Sequence, residues 1–286
     1  MKFKRTTALI LSLIMLTALC ACTKVEPSTA DVMHPVWQHA ANPVIFKPSM
    51  PLADMQQDGK AVIYELTPDF EEFRIAVSKI FKCDIDAMKK TQNGSSVVYK
   101  NDRCSLSYDE ETGFWSYDRA DRTTNKTQIG DELALIIAKD FAEAMGLCPD
   151  GWSGETVETV NGDRGLLFKT VTLYPTINGG TIVRGDYYLS ISVNADGEIV
   201  QLTNNTAKLM GCSEVSIVAG DKVGDMMAKN GCGAGLELYK DDPYAENSQS
   251  LAYGYYADGQ YLLPIYIITT TDSSGTREVL VDAQAF

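Results

Sequence analysis

Apolar residues recur at intervals of three and four through Phe70, Phe73, Val77, Ile80 and Phe81, the spacing of one face of an amphipathic helix. Thr67 and Pro68 supply a cap and a first-turn residue, and Asp69, Glu71 and Glu72 place acids in the first turns, so the pattern predicts a helix beginning there. A second stripe, Leu133, Ile136, Ile137, Phe141, Ala144 and Met145, predicts a helix from about Gly130 to Met145 that Gly146 stops. Between the two, SVVYK, CSLSYD and GFWSYD are short runs of β-branched and aromatic residues separated by turn formers, including DEETG at 109 to 113, and they read as strands. Past residue 165 the strands lengthen. GLLFKTVTLYPTING and TIVRGDYYLSISV are joined by a turn containing Asn178, Gly179 and Gly180, and in the second of them Tyr187, Leu189, Ile191 and Val193 share one face. NADGE, 194 to 198, is a hairpin turn from which EIVQLTN returns. AGDKVGDMMAKNG predicts a short helix ending at Gly231, and LELYK, SLAYGYY, GQYLLPIYIITT and TREVLVDA complete an antiparallel set.

Helices alternating with meandering strands give an expected α+β fold, antiparallel meander sheets each packed by a helix. The polar run DRTTNKTQ divides it into an N-terminal α+β subdomain at 61 to 125 and a C-terminal one at 126 to 286. Residues 22 to 60, rich in Pro, Ala, Ser, Met and Gln with little periodicity, read as a flexible tether with a docked aromatic at Trp37, giving a reach of roughly 35 Å.

The first residues carry the most specific signal in the chain. Lys2, Lys4 and Arg5 precede an apolar run from about Ala8 to Leu19, an export signal too short to be read as a spanning helix. It ends LTALCAC, in which Leu19, Cys20, Ala21 and Cys22 fit a lipobox: small residues at the cleavage site, then a cysteine whose thiol receives diacylglycerol. Counting back from Cys20 instead puts bulky Leu19 at the cut. Residues 1 to 21 are therefore expected to be removed, leaving Cys22 lipidated and its acyl chains, of the palmitate type, in the outer face of the cytoplasmic membrane. An ordinary secretory signal cut near Ala18 or Ala21 is the alternative.

Charge narrows the partners. Removing residues 1 to 21 takes away those three basic residues and no acid, so the formal charge goes from −13 to −16. Nucleic acid and anionic lipid surfaces, which need clustered Lys and Arg, are disfavoured. About 265 residues, 45% hydrophobic in the full chain, suffice for one large or two small cores.

Five cysteines remain after such processing. Pairing near in sequence gives candidate disulfides Cys83 to Cys104 and Cys212 to Cys232, each closing a loop of about 20 residues worth on the order of 3 kcal/mol, with Cys148 left over. No C-x-x-C is present, so neither a thioredoxin-type site nor a zinc ribbon is signalled.

Catalytic patterns are lacking. His34 and His39 both fall in the tether, off a shared helical face, and no His-Glu-x-x-His exists for zinc. GWSGE at 151 to 155 lacks the spacing of a nucleophile elbow and reads as a turn. GCGAG at 231 to 235 follows a predicted helix rather than preceding one, so it is a cap and connector, not a phosphate loop. RGD at 184 to 186 lies inside a predicted strand, and NADGE and DEETG lack the spaced oxygens of an EF-hand. No catalytic residue, metal site or cofactor is expected. Tyrosines cluster around the tip ADGQ, and Tyr256 and Tyr261, which flank it, are candidate partner-binding residues, with cross-hairpin pairing as the plainer account.

A strand, an N-G-G turn, a strand closing on V-N-A-D-G-E-I-V, a short acidic helix, then L-A-Y, L-L-P-I-Y-I-I and V-L-V-D-A resembles the exported PepSY-like and YycH/YycI-like domains of Gram-positive bacteria. The likeness covers about 165 to 286 and only weakly the first half. It departs at the first turn, where Ile182 and Val183 follow without the family's proline, and in the lipid anchor, since YycH and YycI are held by a transmembrane helix. The resemblance implies two PepSY-like subdomains and a non-catalytic, extracytoplasmic regulatory module acting on another envelope protein, such as a sensor kinase or protease. A substrate-binding lipoprotein for a small ligand is the alternative, and an envelope hydrolase built from scattered Asp and Glu is a more distant one.

Overall fold

This computed structural model describes residues 59 to 120, 129 to 148, 150 to 162, 166 to 223, 226, 248 to 272 and 275 to 285. The chain divides into Met1–Val32 and Met33–Phe286, and every described residue belongs to the second unit.

Fourteen strands lie among the described residues. They are β1 (Gly59–Thr67), β2 (Lys89–Asn93), β3 (Ser96–Lys100), β4 (Cys104–Asp109), β5 (Trp115–Arg119), β6 (Trp152–Gly162), β7 (Leu166–Ile177), β8 (Thr181–Gly185), β9 (Leu189–Val193), β10 (Ile199–Asn204), β11 (Lys208–Ile217), β12 (Ser248–Asp258), β13 (Tyr261–Asp272) and β14 (Gly275–Asp282). Their hydrogen-bonded order is β11-β1-β13-β12-β8-β7-β9-β10-β5-β4-β3-β2, with β14 on β13 and β6 on β7. Neighbours run antiparallel except β8 and β12, which pair in parallel from Ile182 opposite Gly254 to Gly185 opposite Ala257. Two helices join them, α1 (Phe70–Phe81) and α2 (Asp131–Met145).

This overturns the expected α+β arrangement of PepSY-like antiparallel meanders, each packed by its own helix. One mixed path of strands runs through the described residues, and both helices pack on the same stretch of it. Two local features account for the difference. β5 finds its second partner in β10, eighty residues on, with Trp115 opposite Asn204 and Asp118 opposite Gln201. TIVRGDYYLSISV, expected as one strand, breaks after Gly185, whose φ of 84° an L-residue rarely adopts. β8 then turns to β12 while β9 returns to β7 and β10. Strands β2, β6 and β11 were not marked by the hydrophobic pattern. β2, Lys89–Asn93, is exposed throughout, and its two lysines suit an edge that repels further strand pairing.

α1 starts later than its sequence predicts. Thr67 is the last residue of β1, opposite Lys208, and Asp69 is the cap, its carboxylate accepting from the Glu72 amide at 3.0 Å. Phe73 and Val77 are buried, Phe73 lying 4.9 Å from the Tyr108 ring centroid and 5.7 Å from that of Trp115. α2 turns only part of its expected stripe inward, with Ile137 and Phe141 packed against the core. Its buried residues are Ala134, Ala138 and Ala142, one every four, while Leu133 and Ile136 stay 53% and 49% exposed. Small side chains on that face bring the helix backbone close to Val171, Leu173, Leu189 and Ile191 of the sheet below.

The other core lies around β13, where every residue from Leu262 to Ile268 is buried because both faces of the strand are covered. Pro264 sits in this central strand without breaking a ladder. β13 pairs with β1 at Tyr261 and Leu262 and with β14 from Ile265 onward, so the missing N–H falls where the strand changes partner.

Candidate functional site

α1 begins and α2 ends beside one another, over the stretch where β7 gives way to β8, and a cleft of about 400 Å³ opens between them. Its wall on the α1 side is Thr67, Asp69, Glu72 and Phe73; on the α2 side it is Gly146, Leu147, Cys148 and Asp150. Trp115 of β5 and Tyr187, in the link from β8 to β9, line it, and the start of β11 supplies Lys208.

Each wall is held by hydrogen bonds or by close packing. Gly146 ends α2 in the left-handed region, φ 70°, letting the Leu147 amide reach back to the Ala142 carbonyl at 3.0 Å. The next turn is tied to the end of β7: the Thr176 amide donates to the Gly151 carbonyl at 3.0 Å and its hydroxyl to the Asp150 carbonyl at 2.6 Å. On the opposite wall the turn at Gly113, φ 75°, lies so near the start of α1 that a Cβ there would meet the Pro68 Cα at 2.8 Å. Buried Asn204 accepts from both the amide and the hydroxyl of Thr206, which sets the link to β11.

Tyr187 is only 6% exposed, and its hydroxyl has no hydrogen bond among the described residues. Burial pushes that phenol well above its ordinary range, and nearby Cys148 and Asp150 push it further, so it stays protonated. Burial likewise raises the Cys148 thiol, to about 12, which makes it a poor nucleophile at neutral pH. The Thr67 hydroxyl is buried without a partner. The charged residues lining the cleft are Asp69, Glu72, Asp150 and Lys208.

A wider, more open groove of about 760 Å³ follows the other end of α1. Within it Arg74 pairs with Asp86 at 3.0 Å and with Glu71 at 3.1 Å. Among the described residues no group of three His, Cys, Asp or Glu could hold a metal ion, and no helix is long and apolar enough to cross a membrane.

Cys22, Cys232, His34, His39, Trp37 and GCGAG lie outside the described residues. Cys83 and Cys104 come together, Sγ to Sγ 3.3 Å, as thiols. Cys212 is half-buried and donates to the Ile63 carbonyl at 3.3 Å. Tyr256 lies opposite Leu263, and Tyr261 opposite Asp258, so they do not pair with each other. Both are half-buried and neither lines the cleft. GWSGE runs into β6 rather than forming a turn throughout, and Ser153 accepts from the Arg184 guanidinium at 3.3 Å. Arg184 of the RGD tripeptide forms a two-point ion pair with Glu278, 2.6 and 2.8 Å. NADGE and DEETG are hairpin turns. Gly197 has φ 78°, and Asp109 Oδ1 accepts from the amides of Glu111 and Thr112. Tyr187, Cys148, Asp150 and Thr67 carried no sequence mark of a site. Tyr187 read as one more inward residue of a strand.

No family model matches the chain, and no curated protein matches it. Among solved structures it is similar to the Bacillus megaterium YpeB C-terminal domain, at 9% identity and a TM-score of 0.40, over 77% of this chain and 95% of that one. At that score the likeness carries no argument about fold or function.

Proposed function

We propose that this chain is a lipid-anchored, extracytoplasmic, non-catalytic binding module that acts on another envelope protein and engages it at the cleft between α1 and α2. The observation that carries the reading is the cleft itself, an open concavity whose walls are tied down while the Thr67 and Tyr187 hydroxyls in its lining have no hydrogen bond among the described residues. Buried polar groups are normally satisfied, so a site that leaves them free is prepared for something that brings the missing partner. The lipobox ending at Cys22 supports the anchor, and the charge of −16 after processing argues against nucleic acid.

The test places a photo-crosslinking benzoylphenylalanine at exposed Lys208, on the cleft rim, and at exposed Thr91, on the edge strand β2, in the full chain in its own membranes. The expected result is a crosslink to an envelope protein from position 208 and none from 91, lost when Cys22→Ser releases the chain. Recovery of no protein from position 208 would overturn the proposal. The cleft's size, within the roughly 300–1,000 Å³ usual for small-molecule sites, favours one second reading, a ligand-binding lipoprotein. That reading expects a small ligand to raise the melting temperature without any crosslinked partner.

A further inference from the structure

We infer that the cleft receives a cation, the ammonium or guanidinium end of a lysine or arginine side chain on the bound protein; this rests on the binding reading of the same site. Several carboxylates elsewhere in the described structure stand in ion pairs. Glu71 and Asp86 pair with Arg74, Glu198 with Arg119, Glu155 with Lys139, Asp131 with Lys169 and Glu278 with Arg184. Glu72 and Asp150, on facing walls of the cleft, have no ion pair among the described residues, and Lys208 is the one basic side chain lining it.

Acidic side chains alone would mark nothing more than a solvated rim. The independent observation is Tyr187, more than nine-tenths buried, lining the cleft, its hydroxyl oxygen without a hydrogen bond among the described residues. That oxygen can accept from an N–H donor, and an ammonium or guanidinium group brings several donors and no acceptor. An anion would meet Glu72 and Asp150 unpaired, and an apolar group would leave those two carboxylates and the Tyr187 hydroxyl without partners.

The test uses the full lipidated chain in detergent micelles and follows the Trp115 indole N–H by NMR during titration with the Nα-acetyl amides of lysine, arginine, norleucine and glutamate, each up to about 10 mM. Lysine or arginine amide is expected to shift the resonance saturably, and norleucine and glutamate amides are not. The double variant Glu72→Gln/Asp150→Asn, altered only at exposed carboxylates, is expected to weaken binding at least tenfold at an unchanged melting temperature. Tyr187→Phe, which keeps the ring, is expected to weaken it severalfold. Equal response to norleucine amide, or an unaltered titration in the double variant, would overturn the inference. A crosslink from position 208 that survives Glu72→Gln/Asp150→Asn would sink the cation while leaving the binding module standing. Binding of free spermidine with no crosslinked protein would remove the protein source instead.

Discussion

Oxidation of Cys83 and Cys104 is the most direct test of how the first helix is fixed to the sheet. The two sulfurs stand 3.3 Å apart, 21 residues apart in sequence, one just beyond the left-handed cap of α1 at Lys82 and the other opening β4. A bond requires them to approach by about 1 Å more, a small shift for the half-buried Cys83. Closing a loop of that length removes unfolded-chain entropy worth about 3 kcal/mol, which for a unit of some 250 residues raises the melting temperature by about 6–12 °C. Burial, with the Cys83 sulfur beside it, pushes the Cys104 thiol up to about 12, so thiolate is scarce at neutral pH and closure through Cys104 accelerates as the pH rises. The assay is diamide oxidation of the reduced chain, with intact mass for the loss of two hydrogens, peptide mapping for the linkage, and calorimetry of oxidised and reduced forms. Cys83→Ala is expected to lose the mass change assigned to this pair and to melt alike in both forms. Oxidised wild type carrying the mapped linkage yet melting with the reduced form would refute the entropic reasoning, and an oxidised chain with both thiols still titratable would refute the pairing.

Three further outcomes follow from the packing. Tyr108, Tyr117 and Cys148 are each pushed up to about 12 by burial, so the unfolded chain loses protons between about pH 9 and 12 that the folded chain keeps, and stability is expected to fall across that window by about 1 kcal/mol per pH unit for each group; chemical denaturation at stepped pH measures it, and a flat profile would contradict it. Ala138→Leu on the buried face of α2 is expected to cost about 1–3 kcal/mol by urea unfolding, whereas Leu133→Ala on its exposed face changes stability by no more than about 0.5 kcal/mol, the reverse of what the hydrophobic stripe predicts. Gly185→Ala forces a side chain into positive φ, with its Cβ 2.5 Å from the Ala257 carbonyl oxygen, and is expected to cost at least about 1–3 kcal/mol and to speed amide exchange along β8 and β12, which exchange on unperturbed glycine would not explain.

Local chemistry was legible and long-range pairing was not. The end of α2 at Gly146, the hairpin turns with Gly197 and Gly113, and the inward run Leu189, Ile191 and Val193 were all marked by residue type and spacing. The α2 stripe departs from the buried face at Leu133 and Ile136 because apolar character does not measure burial. Leu133 and Ile136 are the bulkier residues, yet a helix resting close on a sheet presents its small ones, and Ala134, Ala138 and Ala142 carry little weight in a hydrophobic count. Strands β2 and β6 are largely polar and owe their conformation to neighbours already in place, β6 to the whole length of β7 from Leu166 to Pro175.

The cleft was invisible in the sequence for the same reason that the topology was. Had residues 181 to 193 continued as one strand, Tyr187 would have joined Leu189 and Ile191 on a single face against the helices. The positive φ at Gly185, pressed against the Ala257 backbone, ends β8 two residues earlier and diverts the chain. Tyr187 is carried into a separate cluster with Leu66, Ile177 and Val183, and its hydroxyl comes out at the cleft floor beside Cys148 and Asp150. One glycine thus accounts both for the parallel pairing of β8 with β12 and for the placement at the cleft of a phenol that has no hydrogen bond among the described residues. Gly185→Ala and Tyr187→Phe are therefore expected to separate two effects: both weaken binding of lysine or arginine amide, but only the glycine variant lowers the melting temperature and loosens β12. A Gly185→Ala chain that loses stability yet binds as tightly as wild type would show that the break in the strand shapes the sheet without shaping the site.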